Sequence, residues 1–250
     1  VFTPIRAANE EQVAGLIFTP QRKERLGDKL YGQILQQIVS GVLREGDRLP
    51  SENQMCQLFN VSRPVVRQAL LRLQADGLVA SRQGAGTFVQ KRPPEGLTRF
   101  AEPSDVSEML RCLELRMAVE SQAAALAALR HTASQLADIE NALNAIRTEM
   151  NTGNLAVSAD FAFHHAVAAA SGNVLFLQVL QTLHGLIERG MTVALSLTRE
   201  GSPERARRVF DEHYAIYRAI EQRDMQGAEL AMRYHLDRLR QRVTDSQRDR

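Results

Sequence analysis

From about residue 104 to residue 243 apolar residues recur at three- and four-residue spacing, with no β-like run between them. A stretch of that length with a helical period can bury its stripes only by packing helix on helix. The spacing predicts helices over 105–130, 133–151, 154–171, 174–198, 203–223 and 225–243. The breaks fall at His131-Thr132, Thr152-Gly153, Ser171-Gly172-Asn173, Gly201-Ser202-Pro203 and Arg223-Asp224. The expected product is an antiparallel bundle of six or more helices.

The first part of the chain is patterned differently. Residues 1–22 show no helical period and read as a loose tail. A helix is expected over 26–42, with Leu30, Ile34, Ile38 and Val42 on one face. A second, short helix opens at Pro50-Ser51, where Ser51 and Gln54 have the spacing of a capping box; Met55, Leu58 and Phe59 are its apolar side. Ser62 caps a third helix that carries Pro64 in its first turn, buries Val65, Val66, Ala69, Leu70 and Leu73, and stops at Asp76-Gly77. Two β-like runs, 78–82 and 87–89, then flank the tip Gln83-Gly84-Ala85-Gly86. Three helices and a hairpin make a winged helix-turn-helix. Pro93 and Pro94 bar helix and central strand and mark a linker. The chain is therefore read as a mainly α protein: a tail over 1–24, a winged helix-turn-helix over 25–92, a linker over 93–103 and an antiparallel all-α helical bundle over 104–243.

Composition narrows the function classes. Apolar residues are 44% and charged residues 24%, as in soluble globular proteins. Aromatics are only 5% with no Trp, which argues against a β-sandwich or a sugar-binding surface. Cys56 and Cys112 stand far apart without a C-x-x-C pairing, which suits a reducing compartment. No apolar run reaches the roughly 20 residues of a membrane span, and no signal-like segment is visible, so a cytoplasmic protein without a membrane partner is expected. Net charge is +2 but unevenly spread: residues 1–92 hold 13 Lys/Arg against 8 Asp/Glu, and residues 93–250 hold 18 against 21. A basic module on a mildly acidic one suits a chain that meets a polyanion at one end.

The third helix is placed to read DNA. With Val66, Ala69, Leu70 and Leu73 inward, Ser62, Arg63, Arg67 and Gln68 lie on its outward N-terminal turns, which in helix-turn-helix proteins enter the major groove. Arg can bond guanine bidentately. The Gly-rich tip lets backbone approach the minor groove, with Arg82, Gln83 and Gly84 beside it. The stretch GDRLPSENQMCQLFNVSRPVVRQALLRLQADG over 46–77, with the wing LVASRQGAGTFV, resembles the GntR family of bacterial regulators. The resemblance implies base contacts from Arg63 and Arg67 and a minor-groove contact at Gly84. Asn53 departs from it, standing where most relatives have Arg, so one DNA contact is absent or changed.

The bundle carries a constellation that packing alone does not require. Asp160 and His164 share a helix face, and His213 and His235 sit beside apolar residues on two other helices. An Asp and three His converging in a core can bind a divalent first-row metal such as Zn, Ni, Fe or Mn, zinc foremost, with positions left for water or a carboxylate. A lone interior His is otherwise a hydrogen-bonded core residue, and His131, His165 and His184 take that reading. The segments Asp160-x-x-Phe163-His164, Ala169-Ala170-Ser171-Gly172-Asn173, Glu212-His213-x-x-Ile216, His235-Leu236 and Leu115-Arg116-x-x-x-Glu120 are similar to the FCD domain, the FadR-type effector domain of the same family. The resemblance implies that Asp160, His164, His213 and His235 are metal ligands and that a small organic or sugar acid binds there. Arg116 is the best-matched guanidinium for the acid's carboxylate and Asn173 a further contact. The competing roles are a salt bridge from Arg116 to Glu120 or Glu114, and a helix cap for Asn173.

Three functions compete. The first is a repressor that binds operator DNA as a homodimer and is released by a small carboxylate effector. The second is a metal-responsive regulator in which the ion is the signal. The third, a metal-dependent hydrolase, lacks an H-E-x-x-H motif, a nucleophile elbow or a phosphate loop, so the chain is read as no enzyme.

Overall fold

The computed structural model describes residues 26–91, 93, 97, 103–154, 156–201 and 203–245. The expected tail over 1–24 and most of the 93–103 linker lie outside the described residues. The elements are α1 (Leu26–Val39), α2 (Glu52–Phe59), α3 (Arg63–Ala75), β1 (Val79–Arg82), β2 (Gly86–Val89), α4 (Pro103–Arg130), α5 (Ala133–Asn151), α6 (Val157–Ala170), α7 (Val174–Gly201), α8 (Pro203–Glu221) and α9 (Met225–Thr244). The fold is mainly α, a winged helix-turn-helix followed by an all-α bundle, as the periodicity requires.

Local chemistry explains the short elements. The Ser51 hydroxyl accepts the Gln54 N–H while the Gln54 side chain accepts the Ser51 N–H, so a full capping box starts α2. Asn60, in the left-handed region at φ 49°, ends that helix and turns the chain into α3. Four sequence expectations need correction, the first being Val65, which is only half-buried on α3. Val42 lies beyond the end of α1 and is 68% exposed, and Leu58 is 69% exposed on the outer side of α2. Met55 alone of the α2 side chains is buried, because an eight-residue helix presents little more than one turn to its neighbour. Ser62 precedes α3 with extended backbone, but its hydroxyl makes no capping hydrogen bond and stays exposed.

The hairpin pairs Val79 with Val89, Ala80 with Phe88, Ser81 with Thr87 and Arg82 with Gly86. Arg48 bridges Phe88, with Leu49 donating to the Thr87 carbonyl at 2.8 Å and Val89 to that of Asp47 at 2.9 Å. Residues 47–49 thus form a third edge on the wing. Alternation buries Val79 and Val89 and turns Ala80, Arg82 and Phe88 to the other face.

One apolar core runs from Leu30 and Ile34 of α1 through Leu73 and Leu78 into the bundle at Leu113, Phe163, Ile216 and Leu236. Helix α4 packs against α6, α7, α8 and α9, and its buried Ala123, Ala124, Ala127 and Ala128 allow close approach. Polar links join the two parts. Arg72 of α3 donates to Asp28 of α1 and, at 2.8 Å, to Ser107 of α4; Arg111 of α4 reaches the same Asp28 at 2.9 Å. Arg240 of α9 donates to the Ala75 carbonyl at the end of α3 (3.0 Å), and Lys91 pairs with Asp245 at 3.2 Å.

Candidate metal centre and nucleic-acid interface

Helix α6 places Asp160 and His164 one turn apart on the side that faces the core. His213 enters from α8 and His235 from α9. One ligand atom from each of the four lies within 4.8 Å of every other, and all four residues are buried. Asp160 Oδ1 is 3.0 Å from His213 Nε2, and Asp160 Oδ2 is 3.7 Å from His164 Nε2. Phe163 stands edge-on to the His164 and His213 rings and closes one wall.

The far side of each imidazole faces an acceptor, by hydrogen bond at His213 and His235 and by ion-pair contact at His164, whose Nδ1 makes no hydrogen bond. His213 Nδ1 is 2.8 Å from the Val209 carbonyl, His235 Nδ1 is 3.0 Å from Glu212 Oε2, and His164 Nδ1 is 2.5 Å from Glu120 Oε2. A neutral ring facing an acceptor through Nδ1 carries its proton there and leaves Nε2 as a lone pair. The three Nε2 atoms and Asp160 Oδ2 are fully buried without a hydrogen-bond partner. Converging buried acceptors that lack donors are costly, and a cation among them relieves that cost. Three imidazole nitrogens and one carboxylate fit a borderline divalent metal.

Each carboxylate behind a ring is gripped by a buried arginine. Arg116 Nε meets Glu120 Oε1 at 2.5 Å, and Arg242 forks onto both oxygens of Glu212 at 2.9 to 3.2 Å. Burial alone would raise Glu120, but Arg116 and then His164 hold it down to about 2. Glu212 is opposed by burial in the same way and is held down to about 2 by His235 and Arg242. Burial would also raise Asp160, yet His213, 3.0 Å away, and the neighbouring imidazoles keep it well below the usual range. Burial, and then His213, push His235 down to about 3 against the pull of Glu212. The centre is thus built to keep its carboxylates ionised and His235 neutral, which is the state in which these groups ligate metal.

The remaining bundle residues separate cleanly. Arg116 takes the salt bridge to Glu120 that helical spacing allowed; it is 2% exposed. Asn173 Oδ1 accepts the Leu175 N–H at 3.1 Å, the helix-cap role, at the start of α7. His131 is buried and bonded to the Ala127 carbonyl, as a core histidine. His184 is exposed rather than interior and His165 is half-buried, with its Nε2 3.3 Å from Gln181 Nε2, and both lie against Phe161. The Arg242–Glu212–His235 chain was not found from the sequence, because its members are 30 and 23 residues apart and meet only where α8 and α9 pack.

On the DNA-reading side Ser62, Arg63, Arg67 and Gln68 are all exposed, while Val66, Ala69, Leu70 and Leu73 are buried. Arg67 Nε pairs with Glu52 at 3.0 Å across the helix-turn-helix, a carboxylate that the sequence had not marked. Gln68 leans over Gly27 of α1, where even a methyl group would meet it at 3.1 Å. Arg82, Gln83 and Gly84 form the exposed wing tip, and Gly84 has φ +72°, a conformation that side chains other than glycine's resist. Asn53 is exposed beside Glu52. Among the described residues no helix is long and apolar enough to cross a membrane.

These features coincide with known families. Residues 26–89 match the family described as bacterial regulatory proteins, gntR family, and residues 111–238 match the FCD domain. The chain is similar to the HTH-type transcriptional regulator LutR of Bacillus subtilis (strain 168), at 33% identity over 80% of this chain and 92% of that one. It is similar to the HTH-type transcriptional repressor NanR of Citrobacter rodentium, at 30% identity over 93% of this chain and 91% of the other. A GntR family member from Pseudomonas syringae pv. tomato has a solved structure that aligns at TM-score 0.47 and 23% identity, over 89% and 86% of the two chains. The relatives are transcriptional regulators rather than enzymes. The chain belongs to the GntR family of bacterial transcription regulators and carries an FCD domain behind its winged helix-turn-helix.

Proposed function

We propose that the chain is a cytoplasmic repressor that binds operator DNA as a homodimer and lets go when a small organic or sugar acid binds at a metal in its bundle. The DNA contacts are assigned to Ser62, Arg63, Arg67 and Gln68 of α3 and to Arg82, Gln83 and Gly84 of the wing. Asp160, His164, His213 and His235 hold the ion, with zinc first among Zn, Ni, Fe and Mn. The observation that carries this reading is the buried set of Asp160, His164, His213 and His235, whose ligand atoms lie within 4.8 Å of one another and include acceptors without a hydrogen-bond partner. A divalent ion with four protein ligands keeps one or two positions for a ligand oxygen. A carboxylate there meets positive charge from the metal and from Arg116, which reaches the acid only when its pair with Glu120 opens. The reading does not require Asn173, whose Oδ1 is engaged as a cap.

A route for the signal supports the same reading. Helix α4 bears Arg116 and Glu120 behind His164 and also Ser107 and Arg111 against the DNA-reading part. Helix α9 bears His235 and, five residues on, Arg240 against the end of α3. An effector shifts operator affinity only if it binds the two arrangements unequally.

Elemental analysis and mass spectrometry of ligand released from the purified chain test the reading, followed by operator binding with the metal removed and returned. The expected result is one divalent ion per chain and weakening of operator binding by hydroxy or sugar acids only when the metal is present. Absence of stoichiometric metal at saturating supply overturns it. A full switch on metal alone, with no acid added, makes the ion the signal instead.

A further inference from the structure

The outer face of the wing brings two arginines together in a way that reading DNA with α3 does not require. Residues paired across a sheet share a face, so Arg48 and Phe88, bridged to each other, and Arg82 and Gly86, paired to each other, all belong to the side opposite the buried Val79 and Val89. The Arg82 guanidinium lies 5.0 Å from the centre of the Phe88 ring, which serves as its platform. Arg48 comes to the same place from the opposite edge. A Cβ on Gly86 would stand 2.7 Å from Arg48 Nε and 3.2 Å from Nη2, and the φ of +109° there excludes most side chains. Gly86 therefore leaves room for the Arg48 guanidinium to lie across it, so that Arg48 and Arg82 share this face of the wing.

Ion pairing separates these two from the arginines that are already neutralised. Arg67, Arg72, Arg111, Arg116, Arg240 and Arg242 each have a carboxylate partner. Arg48 and Arg82 are exposed and have no ion-pair partner among the described residues. Two like charges on one face without a counter-charge repel each other, and an anion beside both relieves that repulsion.

We propose that Arg48 and Arg82 together hold a DNA backbone phosphate on this face of the wing. The contact is to a phosphodiester and not to a base, so it anchors the wing beside the groove without reading sequence. Arg48 thereby joins the DNA-binding residues, although it lies in the segment between α1 and α2. Gly86 has its own role: it makes room for the Arg48 guanidinium, whereas Gly84 shapes the turn.

The test is the salt dependence of binding to a random-sequence duplex and to an operator selected in vitro, with the full chain and its Arg48→Ala/Arg82→Ala and Arg48→Lys/Arg82→Lys variants. Losing one phosphate contact flattens the slope of log affinity against log salt by about 0.9 per bound protomer, equal to about 3.5-fold less affinity lost between 50 and 200 mM salt. The alanine pair is expected to show that flattening on both duplexes, leaving the ratio of operator to random affinity unchanged, and the lysine pair to keep the original slope. A single neutral methylphosphonate beside the wing is expected to weaken the unaltered chain but not the alanine pair, a comparison that uses the native wing. An unchanged slope in the alanine pair overturns the proposal, as does a loss confined to the selected operator, which would mean base reading. No binding of the unaltered chain to any duplex would instead remove the DNA-binding reading itself.

Discussion

Arg67 and Arg116 each pair with a glutamate, and the contrast between them is the contrast between the two ends of the molecule. The Arg67 side chain is 65% exposed and its partner Glu52 38%; Arg116 and Glu120 are both 2% exposed. An exposed pair of that kind contributes about 0–1 kcal/mol, so a guanine edge or a phosphate can displace Glu52 at little cost. Breaking a buried pair by removing one member costs about 3–5 kcal/mol, because the other charge is stranded. The DNA side is thus assembled from short-range neighbours on α3 and the wing and left open to exchange partners. The candidate metal centre is drawn from α4, α6, α8 and α9, and its charged groups are buried.

If the two ends are separate in this sense, single substitutions should divide cleanly, and the largest effect belongs to the centre. His213→Ala removes one of four ligands, so metal affinity measured against a chromophoric chelator should fall by more than the roughly 100-fold that losing a partner behind a ligand costs. Affinity of the metal-free chain for a random duplex should be unchanged by it. The mirror variant, Arg67→Ala, should cost about 1–3 kcal/mol in operator binding by fluorescence anisotropy, or about 5- to 150-fold, and leave metal content as it was. A crossed result, with Arg67→Ala losing metal or His213→Ala losing duplex affinity in the metal-free state, breaks the separation.

Acid sharpens the same contrast, since only the buried end should respond. His235 is held down to about 3 against an ordinary 6.5, so between those values the unfolded chain binds a proton that the folded chain refuses. Stability must then decline as pH falls through 6.5, with that loss complete near 3. Glu120 and Glu212, held to about 2 against an ordinary 4.5, add a further loss of the same sign over the range between. The Tm of the metal-free chain is therefore expected to drop from pH 7 to pH 5 and further to pH 4. A Tm flat over that range means that these groups do not keep their buried partners in the metal-free state.

How much of this was visible in the sequence differs between the two ends for a physical reason. Local rules suffice where a side chain acts within one or two turns. Ser51 with Gln54, the outward set Ser62, Arg63 and Arg67, and the pairing of Arg116 with Glu120 all follow from spacing on one helix. The Asp160–His164 pair was visible in the same way, while the joining of His213 and His235 to it rested on resemblance. Contacts set by packing angles left no local mark. Glu212 meets Arg242 only where α8 and α9 cross, Arg48 meets Gly86 only once 47–49 joins the wing, and Glu52 meets Arg67 only across the turn. Val42 and Leu58 fit the apolar period but sit past the end of α1 and on a helix too short to cover them.

The smallest expected effect probes where the two ends touch. Arg240 donates from α9 to the Ala75 carbonyl at the end of α3, and the same side chain pairs with Asp237. Its guanidinium offers positive charge to a helix C-terminus, where cations contribute about 0.3–1 kcal/mol. Arg240→Ala should therefore lower stability by less than about 1 kcal/mol and leave metal affinity unchanged. What it should reduce is the difference in operator affinity between the ligand-bound and ligand-free forms, because α9 holds both His235 and this contact on one rigid element. Operator affinity measured in the two forms, for the unaltered chain and for the variant, gives that difference as a free energy of coupling between the sites. A coupling that survives intact in Arg240→Ala assigns transmission to α4 alone, through Ser107 and Arg111 against Arg72 and Asp28. Arg111→Ala is then the variant that should abolish it, and a chain that still responds with both arginines removed has no link between its ends at either of these contacts.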